Sequence, residues 1–150
     1  MAKKLKLDIG YTPEFRLTGI FSTQKNYRLC WLLNQHLKMD LRWLKDFPYL
    51  PHKQEEESRF PVFYHEAKRL KTRYLLLANK SPGGLLLPDP KNLDYLFLSW
   101  HPDIGIDLQG LLARIRVVPG VQAAYLLDDQ LNARAKEVLY DFELFLSDAL

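Results

Sequence analysis

Four histidines, His36, His52, His65 and His101, are the residues best suited to acid–base or metal chemistry. None lies three or four positions from another and none has a cysteine beside it, so no local pair of metal ligands forms. His101 stands in Trp100-His101-Pro102-Asp103, where Asp103 can orient an imidazole, but an acid–base role needs a reacting partner that no neighbour supplies. Its plain reading is a loop histidine beside a strand end. Cys30, between Leu29 and Trp31, falls on an apolar helical stripe and reads as a small hydrophobe; a reactive thiolate wants a basic, exposed setting. Ser81-Pro82-Gly83-Gly84 is a tight turn, since a phosphate loop needs Lys-Ser or Lys-Thr after its glycines and a helix aimed at the phosphate. Asn79-Lys80-Ser81 spells the N-glycosylation triplet, but Pro82 follows it and the charged start of the chain, Met1 to Asp8, reads as no export signal. No hydrolase elbow, zinc-protease helix or dinucleotide fingerprint occurs. The residues therefore assign no catalytic, cofactor-binding or metal position.

What remains is charge. Residues 1–75 hold 15 Lys and Arg against 8 Asp and Glu, a net of +7; residues 76–150 hold 6 against 10, a net of −4. Much of the positive charge falls in two places. One is Lys3 to Lys6. The other is the run containing Lys68, Arg69, Lys71 and Arg73, flanked by Tyr64 and Tyr74. Brought together, the two make a basic face for phosphates or for an acidic protein, with aromatics beside it. Left apart, they only solvate the surface.

The elements that must position these residues follow from periodicity. The 150-residue chain, 47% hydrophobic and 13% aromatic, suits one domain with a sizeable core. Its single cysteine excludes an internal disulfide, and no apolar run approaches the roughly 20 residues of a membrane span. Lys3 to Ile9 and Phe15 to Phe21 alternate with a period of two and predict strands. Gln24 to Lys38 predicts a helix largely buried against a sheet. One apolar stripe on it runs through Tyr27, Cys30, Trp31, Asn34 and Leu37, widened by Leu29, Leu32 and Leu33. Leu41 to Phe47 predicts a short strand broken at Pro48. Phe60 to Glu66 and Arg73 to Asn79 predict a hairpin around the basic link, and Leu85 to Leu87 resumes the sheet. Leu93 to Trp100 predicts a further strand, Asp107 to Arg116 an amphipathic helix and Val121 to Leu127 a strand. Asn132 to Leu146 ends the chain as helix or strand. The expected architecture is a single α+β domain over residues 1–150, a mainly antiparallel sheet with two or three helices packed on one face.

Leu87-Pro88-Asp89-Pro90-Lys91-Asn92-Leu93-Asp94-Tyr95 resembles the signature of the IPExxxVDY family, with Leu87 for Ile, Asp89 for Glu and Leu93 for Val. Phe15 to Ile20, Tyr27 to Asn34 and Val121 to Tyr125 agree with that resemblance, which covers roughly residues 3–128. It implies a bacterial protein and carries no activity to transfer. Physically, Pro88 and Pro90 enforce extended backbone, Asp89 and Asp94 can satisfy turn amides, and Leu93 and Tyr95 share a strand face. The block is a structural corner or, through Asp89, Asp94 and Tyr95, part of a recognition surface.

The expectation is a cytoplasmic, non-enzymatic binding or adaptor domain for a protein partner. It recognises that partner by a sheet edge or a helix face and is steered by Lys68 to Arg73. RNA binding on the basic residues is the alternative, and an enzyme with an unrecognised site the third.

Overall fold

The computed structural model describes residues 15–50, 57–68, 71–88, 92–100 and 107–150. The expected strand at Lys3–Ile9 lies outside them. In chain order the elements are β1 (Phe15–Phe21), α1 (Asn26–Leu37), β2 (Arg42–Tyr49), β3 (Ser58–Ala67), β4 (Thr72–Ala78), β5 (Lys80–Ser81), β6 (Gly84–Leu85), β7 (Tyr95–Trp100), α2 (Leu108–Arg116), β8 (Ala123–Leu126) and α3 (Ala133–Ala149). A 3-10 turn, Asp128–Gln130, precedes α3. Six strands form one antiparallel sheet in the order β2-β3-β4-β7-β1-β8. The α+β antiparallel expectation holds.

The centre of the sheet explains its own sequence. Side chains alternate across a strand. On β4 and β7, Leu75, Leu77, Leu96 and Leu98 turn to one face, while Tyr74, Leu76, Tyr95 and Phe97 turn to the other. Both faces are buried, so these strands are nearly unbroken apolar runs.

Two apolar faces need two covers, and this corrects the expected single helical layer. α1 and α2 cover one face through Leu29, Leu33, Leu37, Leu111, Leu112 and Ile115. α3 covers the other through Ala135, Val138, Leu139, Phe142 and Leu146. The ambiguous last segment is thus a helix. The Asn132 side chain caps it by accepting from Ala135 N at 2.8 Å, and its buried residues recur three and four apart.

Two smaller differences have local causes. β2 runs through Pro48 to Tyr49, because β2 is an edge strand and a proline there sacrifices no ladder bond the fold needs. Leu85 does not resume the main sheet. Gly84–Leu85 pairs only with Lys80–Ser81, after which Leu86 and Leu87 turn into the α3-side core.

Candidate binding surface

The 87–95 block is a clasp between β4, β7 and the entry to α1. Asn79, fully buried, is its centre. Its side chain donates to Leu87 O at 2.9 Å and Leu93 O at 2.8 Å and accepts from Leu87 N at 2.7 Å. Its backbone N–H donates to Asp94 O and its carbonyl accepts from Leu86 N. One side chain thereby closes both ends of the loop from Leu87 to Leu93. Leu87 and Leu93 are buried in the α3-side core. Leu93 lies so close over β1 that a Cβ on Gly19 would stand 2.5 Å from its Cδ1. Pro88 follows at the surface, and Asp89 lies outside the described residues.

Asp94 and Tyr95 fasten the segment that starts α1. Asp94 accepts from Ser22 N at 2.8 Å and pairs with Lys80 at 2.6 Å, while its own N–H donates to Ile20 O. The Tyr95 hydroxyl donates to Gln24 O. Burial, with Asp94 adding to it, pushes this phenol up to about 12. Ser22 Oγ in turn donates to Gly120 O and accepts from Gln24 N. An open depression of about 380 Å³ lies over Thr23, Asn26, Lys80 and Asp94.

The basic link is dispersed. Lys68 and Lys71 are exposed at the β3–β4 turn, where Lys71 takes the left-handed conformation and donates its N–H to Lys68 O. Arg73 is half-buried on the α3 side, its guanidinium 5.1 Å over the Trp100 ring. Arg69 and Lys3 to Lys6 lie outside the described residues. His52 and His101 do too; His36 is exposed on α1, and His65 stacks on Tyr74 at 6.2 Å. Tyr74 is pushed up by burial and drawn back by Arg114. Cys30 is buried, its Sγ 3.4 Å from Leu41 O, and burial raises its thiol to about 11. Among the described residues no three His, Cys, Asp or Glu side chains gather as a metal-holding group, and no helix is long and apolar enough to cross a membrane.

The surface that the periodicity misjudged is on α1. Leu29, Cys30, Leu32, Leu33 and Leu37 are its buried side, but Tyr27 is 66% and Trp31 50% exposed. At 3.6 residues per turn, Tyr27, Arg28, Trp31 and Gln35 fall within about 100° of the helix circumference, and all four are exposed. The Arg28 guanidinium lies 4.8 Å over the Trp31 ring. No acid occurs between Asn26 and Leu37, and Lys25 and Lys38 stand at its two ends. The helix is held firmly. The Asn34 side chain bonds both the N–H and the carbonyl of Leu41, and Arg114 donates to Leu37 O at 3.1 Å.

The sheet edges are guarded. β2 carries a bulge between Trp43 and Lys45 as well as Pro48. On β8, Arg116 donates to Ala124 O at 2.9 Å and Gln130 to Leu126 O at 3.5 Å, so side chains take carbonyls that a further strand would want.

Comparison of the chain with protein-family models, with curated proteins and with solved structures finds no match in any of the three.

Proposed function

We propose that the protein is a cytoplasmic binding module without catalytic activity, and that it docks an acidic protein partner on the exposed face of α1. The observation that carries this is the Tyr27–Trp31 pair, one helical turn apart and largely in water, with Arg28 on the Trp31 ring. Trp, Tyr and Arg are the residues that supply most interface energy when a partner covers them. The burial of α1 against the sheet does not use this side. Its cations, with no acid among the helix residues, favour a negatively charged partner. The guarded edges of β2 and β8 favour the helix face over strand addition. Membership of the IPExxxVDY family belongs to the same proposal, on the 87–95 signature, and brings no activity with it.

A photoreactive amino acid in place of Gln35, compared with one in place of Leu144 on α3, tests the reading in cells. A single acidic protein is expected to crosslink from position 35 and not from 144. Trp31→Ala is expected to weaken its binding by about thirtyfold while changing folding stability by no more than about 0.5 kcal/mol. Arg28→Glu is expected to abolish the crosslink. The same proteins captured from both positions, or none from 35, would refute it. RNA on the basic residues is the second reading, supported by the exposed Lys68 and Lys71. RNA crosslinked through a photoreactive amino acid in place of Lys71, and lost steeply with salt, decides for it.

A further inference from the structure

Away from the α1 face, an open cavity of about 510 Å³ lies where the first turn of α2 meets the start of β1 and the end of β8. That is a volume typical of small-molecule sites. Its polar groups come from three separate elements. Arg16 projects from β1. Asp128, in the turn after β8, accepts from Leu17 N at 2.9 Å through Oδ1, and its Oδ2 stands 3.4 Å from Arg16 Nε. The pairing is thus through Nε, and the planar guanidinium has a second edge, formed by its two terminal nitrogens, for another carboxylate. Asp107 lines the cavity and caps α2 through Oδ1, which accepts from Gly110 N at 3.0 Å, while Oδ2 lies over Gly110 with lone pairs left to accept from a ligand. Gln130 donates its amide N–H to Leu126 O, which turns the carbonyl of the same amide away from that bond. Leu108 and Leu126 supply apolar surface to the lining.

We infer that this cavity binds a small α-amino acid. The guanidinium edge of Arg16 takes the carboxylate, Asp107 and the Gln130 carbonyl take the ammonium, and Leu108 with Leu126 receives an aliphatic side chain. A simple anion meets two carboxylates here. A simple cation meets Arg16. A zwitterion satisfies both signs at once, and that is the basis of its selection over either half. The inference is independent of the α1 reading, because no residue is shared between the two surfaces.

Three probes of one shape test it by calorimetry on the full chain. They are L-leucine, 3-methylbutylamine, which lacks the carboxylate, and 4-methylpentanoate, which lacks the amine. L-leucine is expected to bind at least tenfold more tightly than either analogue. Asp107→Asn keeps a good helix cap, so the fold should persist with an unchanged circular dichroism spectrum and melting temperature while leucine affinity falls about tenfold or more. Arg16→Gln is expected to reduce leucine binding to the level of the amine. Equal binding of the three probes, binding of none, or leucine binding indifferent to both substitutions overturns the inference.

Discussion

At the scale of the residue, Asn79 does most to hold the clasp. It makes three side-chain hydrogen bonds to backbone groups that the core has removed from water. Removing it leaves those groups unpaired at about 1–3 kcal/mol each. Asn79→Ala is therefore expected to cost roughly 3 kcal/mol or more, read as a lower urea midpoint with an unchanged slope. Nothing in the sequence foretold this. In the sequence Asn79 reads as a strand end and as part of a glycosylation triplet, because a side chain that bridges two strand ends leaves no periodic mark. Asp94 and Tyr95 were legible as a corner, and their bonds to Ser22 and Gln24 give that corner its purpose. Tyr95 also predicts a pH dependence. Its folded-state value, about 12, lies above the ordinary 10.0. Its stabilisation is accordingly complete below pH 10 and is lost as pH rises through 12. Tyr95→Phe should lower stability at neutral pH by about 1 kcal/mol and make the alkaline decline shallower, as measured by chemical denaturation at stepped pH. Cys30, with its thiol raised by burial, should react with a thiol reagent at neutral pH only as fast as the chain opens.

At the scale of the element, strands and helices were readable wherever one periodicity dominated. β1, β3, β4, β7 and α2 fall close to their expected places. α1 was found, but its orientation was not. Its apolar residues describe two overlapping stripes, and only the sheet decides that Leu29, Leu33 and Leu37 go in while Tyr27 and Trp31 stay out. α3 was undecided because Val138 to Phe145 suits either state; the Asn132 cap and the second apolar face of the sheet select the helix. Asn132→Ala is expected to cost about 1 kcal/mol, seen as a drop in melting temperature with the partner site on the opposite layer unaffected.

At the scale of the molecule, the two helical layers differ in charge along a line the halves of the sequence do not follow, since Arg114 and Arg116, from the acidic half, stand on the cationic layer. α1 and α2 present Lys25, Arg28, Lys38, Arg114 and Arg116 on one side of the sheet. α3 presents Glu137, Asp141, Glu143 and Asp148 against Arg134 and Lys136 on the other. This was not legible from the net charge, because layer assignment depends on which sheet face each helix covers. It predicts that salt slows association of an acidic partner with α1 and changes dissociation little, a distinction stopped-flow fluorescence of Trp31 can read. The anchoring of α1 at both ends, by Asp94 and Tyr95 at its entry and by Asn34 and Arg114 at its exit, bears on that encounter as well. A platform already fixed in its bound geometry loses little conformational entropy on docking. The backbone ordering cost then falls on the partner, so a flexible acidic segment and a pre-folded one of the same sequence should differ in affinity by the partner's own freedom, the cost of ordering Tyr27, Arg28 and Trp31 being common to both.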